Sequence, residues 1–173
     1  MKANRATFCA AALATLSLAG CSPGTVAVVG VGGTAPSTAS SGDAGQVLAL
    51  VNLARAQAGC PALTVDGRLT QAAKRHASAM ANRGFFSHTG ADGSSPARRI
   101  SDTGYVWNLT GENIAAGQPT AQAAFGTWIN SPGHRANILN CGFSQTGMAL
   151  ARPGDAAATY PTYWVQVFAR PAP

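Results

Sequence analysis

Charge is scarce in this chain, and acidic charge is scarcest. Only 10% of its 173 residues are Asp, Glu, Lys or Arg, and Glu112 is the one glutamate. Lysine is nearly missing as well, with Lys2 and Lys74 set against ten arginines. Three histidines complete the titratable inventory: His76, His88 and His134. The histidines and Glu112 never form a His-Glu-x-x-His pair, which excludes the helical zinc-protease arrangement. Residues 43–173 hold no Gly-x-Ser-x-Gly, so a nucleophile elbow is excluded there too. The basic residues Arg55, Arg68, Lys74, Arg83, Arg98, Arg99 and Arg135 are scattered without interleaved aromatics, which is not the pattern of a nucleic-acid surface. The length allows one modest domain rather than two.

The first residues read as a targeting segment. Lys2 and Arg5 form a basic head, and the apolar run Phe8 to Leu18 is too short to span a bilayer as a mature helix. It ends in Leu18-Ala19-Gly20-Cys21, which resembles the lipobox of bacterial lipoproteins, in which the cysteine is acylated and becomes the mature N-terminus. Residues 1–20 are therefore expected to be a signal peptide, and Cys21 the lipidation site; the alternative is a plain secretory leader. A diacylglyceryl group supplies the two chains that stable anchoring needs. Ser22 after the cysteine favours the outer membrane, if the cell has one. From there to Gly42 the chain is an uncharged Gly/Ser/Thr/Ala/Pro tract, expected to be a flexible tether. Without residues 1–21 the balance is ten basic to six acidic residues, a net charge of +4.

The folded domain is expected over residues 43–173. Asp43 to Gln46 has capping-box spacing, and Val47, Leu50, Val51 and Ala54 mark one face of a helix ending near Gly59. Leu63 to Val65 is extended. Asp66 caps a second helix whose apolar stripe holds Leu69, Ala73, His76, Ala77 and Met80, so His76 is assigned to packing rather than to a site. Ser95-Pro96 starts a short third helix. Thr120 to Ile129 is amphipathic, and Ser131-Pro132 restarts the chain in a further short helix. Gly147 to Ala151 and Tyr163 to Phe168 read as two strands of a hairpin. Helices and a small antiparallel sheet must share a core, which defines an α+β fold.

Three residues stand out as a candidate site. His134 is the third residue of its short helix, where a helix N-terminus disfavours imidazolium and keeps a lone pair available. His88 lies in the turn-rich loop Ser87 to Gly93, in which Asp92-Gly93 is a turn signal and Asp92 structural. Glu112, within Gly111-Glu112-Asn113-Ile114-Ala115, asks for a partner; the alternative to a site role is a buried pair with an arginine such as Arg135.

Taken together, Asn52-x-x-Arg55, Phe86-Ser87-His88, Gly111-Glu112-Asn113-Ile114-Ala115, Trp128-x-x-Ser131-Pro132-Gly133-His134-Arg135-x-Asn137-Ile138-Leu139 and Trp164-x-Gln166-x-Phe168 resemble the CAP superfamily of cysteine-rich secretory, antigen 5 and pathogenesis-related 1 proteins, in its bacterial branch. The resemblance covers about residues 44–170. It implies an α-β-α sandwich with a broad cleft lined by two histidines and acidic groups, where some members bind a divalent metal. Carried over by position, His88, Glu112 and His134 become cleft residues and a ligand set for zinc or another divalent ion, with water in the fourth place. Eukaryotic members place a histidine in a His-Tyr-Thr-Gln pattern before the last strand; Tyr163, in Tyr163-Trp164-Val165-Gln166, stands at that position.

Three functions are compatible with these features. One is a non-catalytic, lipid-anchored envelope protein, expected to be a monomer, that binds a lipid or a cell-wall component. Another is a metal-dependent hydrolase of peptide or cell-wall bonds with Glu112 as base. The third is a structural module with a vestigial cleft. Finally, with Cys9 removed and Cys21 acylated, Cys60 and Cys141 remain as an even pair in an oxidising compartment, and a disulfide between them is expected; two separate thiols are the alternative.

Overall fold

A computed structural model describes residues 42–154 and 158–173. The leader, the Cys21 site and the linker up to residue 41 lie outside the described residues. In chain order the elements are α1 (Asp43–Gln57), β1 (Thr64–Val65), α2 (Gly67–Arg83), α3 (Pro96–Ser101), β2 (Trp107–Ala116), α4 (Ala121–Ile129), α5 (Pro132–Ile138), β3 (Gln145–Ala151) and β4 (Tyr163–Pro171). The strands form one sheet in the order β1-β3-β4-β2.

Alternation along β4 sorts the core into two layers. Tyr163, Val165, Val167 and Ala169 point to one face, where they meet Leu69, Ala73, Ala77 and Met80 of α2 and Ile100 of α3. Trp164 and Phe168 point to the other, against Val47 and Val51 of α1, Ala124 and Trp128 of α4 and Ile138 of α5. The period of two along the strand thus meets the 3.6-residue stripes of helices on both sides, giving an α+β sandwich with the sheet in the middle. Both faces of β4 are covered, so Tyr163 to Ala169 are all buried. Helix α2 packs unusually close: a Cβ at Gly147 of β3 would lie 2.1 Å from the Leu69 carbonyl carbon and the Thr70 nitrogen. Glycine is what lets the helix backbone rest on the strand.

Local signals set most boundaries. Asp66 accepts from the Arg68 backbone at 2.8 Å and caps α2, which ends at Gly84 in the left-handed region (φ 66°). Ser95 caps α3, and Thr120 caps α4 by accepting from the Ala123 backbone N–H. Three expectations are corrected. The capping box at Asp43 is not formed: Gly42 holds the cap position without a side-chain bond, and the Asp43 carboxylate lies 3.4 Å from Arg152. Ser131 likewise starts α5 without a side-chain cap, leaving Pro132 to set the turn. The sheet is mixed rather than purely antiparallel, because β1 pairs with β3 in parallel. The long connection between them makes that direction possible.

The ends of α1 and α5 are tied by a disulfide between Cys60 and Cys141, with Cα atoms 4.9 Å apart and a sequence separation of 81. Arg55 reinforces the same join. Its fully buried guanidinium donates to the carbonyls of Pro61, Ile138, Asn140 and Phe143 at 2.8–2.9 Å. Asn52 braces the segment below by exchanging two bonds with the backbone of Leu63.

Candidate functional site

Strand β2 lies at the edge of the sheet, and its outward carbonyls need partners. The α4–α5 segment supplies them: Trp128 Nε1 donates to the Ile114 carbonyl at 3.0 Å and Asn137 Nδ2 to the Glu112 carbonyl at 3.2 Å. Gly111 permits this approach, since a Cβ there would meet Phe143 and Asn137 at about 3 Å. Asn113 Nδ2 then donates to the His134 carbonyl at 3.1 Å. In this way α5 is laid along the β2 edge, and His134 comes beside Glu112 and Asn113.

The Glu112 side chain is buried between β2, α2 and α3, and both of its oxygens are engaged. His88 Nδ1 lies 2.8 Å from Oε1, and Arg99 Nη2 donates to Oε2 at 2.7 Å. His76 Nε2 stands 4.0 Å from Oε1. Two of these groups also hold the His88 loop: His76 Nε2 bonds the Ser87 carbonyl at 2.8 Å, and Arg99 donates to the His88 carbonyl at 3.0 Å. A buried carboxylate with an arginine against it stays ionised and can only accept. The proton of the His88–Glu112 bond therefore sits on His88 Nδ1. The ring is half exposed (50%).

The other two imidazoles are held neutral. Burial pushes the His76 pKa down, partly offset by the Glu112 charge. Burial lowers that of His134 as well, with repulsion from His88 second, which places the two rings within electrostatic reach. The direction is the one expected for His134, but its first cause is burial rather than the helix N-terminus. Its Nδ1 is buried without a partner, as is Nδ1 of His76.

The sequence-derived residues fall into place unevenly. His88 and Glu112 are in direct contact, and the His134 carbonyl is bonded to Asn113, the next residue of the strand. Tyr163 does not: it is fully buried, pairs with Ala116 four residues along β2 from Glu112, and leaves its hydroxyl without a partner. The arginine on Glu112 is Arg99, not Arg135, because α3 crosses over the carboxylate while Arg135 is exposed. Two contributors were missed, Arg99 and His76. His76 packs in the core, as its stripe indicates, yet also reaches the carboxylate. Asp92 is structural, with Oδ1 accepting from the Ser94 backbone at 3.0 Å.

The metal expectation needs revision at one residue. Among the described residues no three His, Cys, Asp or Glu side chains are grouped to hold an ion. Each Glu112 oxygen already holds a partner, His88 or Arg99, with which a directly bound metal would have to compete. Glu112 fits instead as the carboxylate that orients a ligating histidine. The groups free to coordinate are the imidazoles of His88 and His134.

A helix-sheet-helix sandwich with a buried carboxylate bonded to a half-exposed histidine at a strand edge defines the class of domain. Residues 48–168 match the cysteine-rich secretory protein (CAP) family, and the chain belongs to that family. It is 32% identical over 135 residues to the uncharacterised protein YkwD of Bacillus subtilis, covering 78% of this chain and 49% of YkwD. An extracellular SCP-domain protein of Bacillus anthracis is similar in structure, with a TM-score of 0.65 and 30% identity over 74% of this chain and 40% of that one. An outer surface protein of Borrelia burgdorferi shares the fold at 23% identity, with a TM-score of 0.66 over 73% and 90% of the two chains. The chain thus spans about half of YkwD or less of the Bacillus anthracis protein, as the coverages show. Among the described residues no helix is long and apolar enough to cross a membrane.

Proposed function

We propose that this chain is an exported CAP domain, tethered to the cell envelope through acylated Cys21, that binds a polar cell-wall component at the His88–His134 cleft without cleaving it. The observation that carries this reading is the double engagement of Glu112. With one oxygen on His88 and the other on Arg99, the carboxylate orients a ring and has no free oxygen for activating water. The hydrolase alternative, which needs Glu112 as base, fits this geometry poorly. The lipid alternative has less support than a polar ligand, because the groups gathered around Glu112 are imidazole and guanidinium side chains. The names of the relatives, extracellular in one case and outer surface in another, support an exported location.

A divalent cation is compatible with the same cleft. When bound it would supply a positive charge for an anionic or carbonyl group of the ligand. His88 Nε2 and His134 would hold it, and Glu112 would fix the His88 tautomer.

The test combines binding and turnover. The full chain should co-sediment with purified cell-wall sacculi, and His88→Ala and His134→Ala should lose that binding while keeping the fold. Release of soluble fragments from the sacculi, abolished by chelator, would overturn the non-catalytic reading. Zinc titration of the three proteins decides the metal: affinity unchanged in both alanine variants would remove the ion from this cleft.

A further inference from the structure

Arg99 joins three parts of the site that lie apart along the chain. Its Nη2 donates to Glu112 Oε2 at 2.7 Å and to the His88 carbonyl at 3.0 Å. Its Nη1 donates to the Ser94 carbonyl at 2.8 Å. Between His88 and Ser94 the chain closes on itself. The Gly90 N–H donates to the same Ser94 carbonyl at 2.9 Å, and the Gly93 N–H to the Gly90 carbonyl at 2.8 Å. Both ends of this loop are therefore fastened to one guanidinium. The His88 ring is fastened to it at one remove, because the carboxylate that bonds its Nδ1 is held by Arg99 through the other oxygen. On the near side, His76 holds the Ser87 carbonyl. The Arg99 side chain is only 8% exposed, so it acts through its neighbours rather than by meeting a ligand.

We propose that Arg99 is the positioning residue of the His88 cleft, with two separable roles. Its charge keeps Glu112 paired. Its fork fixes the loop 88–94, so that the His88 ring meets a ligand already ordered. The inference rests on the reading of this cleft as a binding site, and adds what sets affinity there. Ordering a loop on binding costs free energy, and a loop held beforehand spares that cost. The two roles separate by geometry. Nη1 and Nη2 take different partners, whereas lysine brings the same charge on a single nitrogen and cannot occupy both places. Arg99→Lys should thus keep a cation on Glu112 and release the Ser94 end of the loop.

Two measurements on the full chain test this. Backbone nitrogen relaxation of the unsubstituted protein should give residues 88–94 order parameters of about 0.85, as in the strands; values below about 0.6 would overturn the proposal without any variant. In Arg99→Lys these values should fall while those of α2 and β4 stay level. Co-sedimentation with purified cell-wall sacculi should then show Arg99→Lys weakened by about tenfold or more, the scale known for partners that orient a ligating histidine. Arg98→Lys, at the exposed neighbour paired with Asp102, should bind as the unsubstituted chain does. Binding lost in His88→Ala but undiminished in Arg99→Lys would overturn the positioning role and leave the cleft standing. If the unsubstituted chain does not bind sacculi, the reading of the cleft falls. The order parameters of Arg99→Lys then decide the positioning role alone, and unchanged values overturn it.

Discussion

Arg55 Nη1 donates to the carbonyl of Ile138, 83 residues further along the chain, at 2.8 Å in a fully buried setting. Its partners are all backbone carbonyls, at Pro61, Ile138, Asn140 and Phe143, so one guanidinium serves as the cap for the C-terminal end of α5 and the turn beyond it. Burial pulls its pKa below the usual arginine value, but an arginine remains charged at any pH the domain meets. Lysine could not reach four acceptors spread around a planar fork. Arg55→Lys should therefore lose about 3 kcal/mol or more in urea unfolding, and Arg55→Met at least as much. A loss below about 1 kcal/mol for both would show that the carbonyls find other partners.

The Cys60–Cys141 bridge closes the same join covalently, across a separation of 81 residues. A loop of that size carries a chain-entropy stabilisation of about 4–5 kcal/mol, an upper guide because residual denatured structure reduces it. Replacing both cysteines with serine should lower stability by about 2–5 kcal/mol. Mass analysis after alkylation of the denatured, unreduced chain should find neither of these two cysteines modified. Alkylation at both would remove the crosslink.

The Glu112–Arg99 pair can be separated from the Glu112–His88 contact by a double-mutant cycle. Glu112→Gln alone leaves the buried Arg99 charge unpaired and should cost about 3–5 kcal/mol. Adding Arg99→Met should recover much of that loss in urea unfolding, since no stranded charge remains. If zinc binds at the cleft, Glu112→Gln should also weaken it by roughly 10–100-fold through the loosened His88 ring. Additive losses in the cycle would mean that the two side chains do not interact.

What the chain discloses before folding is its periodic part. The aromatic and β-branched run Tyr163 to Phe168 reports a strand buried on both faces, and the stripe of α2 reports a helix with one face to hide. The His88 and His134 positions were legible from motif context. The partners were not. Arg99 sits in a short helix whose crossing over Glu112 depends on the Gly90–Ser94 turn, and nothing local signals that contact. His76 was legible as buried, yet its second role depends on the chain after Gly84 folding back so that Ser87 and His88 lie over α2. Tyr163 fails for the opposite reason: its position in a motif was legible, but the strand register sets it opposite Ala116, fully buried and four residues from Glu112.

Gly147 is where α2 meets the sheet. An added Cβ would lie 2.1 Å from two backbone atoms of α2, so no side-chain rotamer can relieve the clash and the helix itself must lift. Gly147→Ala should cost about 3 kcal/mol, the upper end for overpacking. Because α2 carries His76, the same variant should disturb the histidine ring signals in NMR spectra. A neutral Gly147→Ala would mean that the helix rides higher than described.

Acid should weaken the domain through His76 and His134. Both His76 and His134 have pKa values pulled below the ordinary 6.5, chiefly by burial. A lowered pKa means that the folded state resists protonation while the unfolded chain takes up protons normally. Stability therefore rises with pH wherever the unfolded state binds more protons. The contribution is fully present above about pH 7 and is lost as pH falls through about 6.5 towards the lower folded-state values. Urea midpoints measured between pH 8 and pH 5 should decline on acidification over that window, before the carboxylates titrate. His76→Gln, which keeps a donor for the Ser87 carbonyl, should flatten the decline even if its stability at pH 8 is reduced. A midpoint that stays level, or rises, between pH 7 and pH 5.5 in the unsubstituted chain would show that these imidazoles are protonated as readily folded as unfolded.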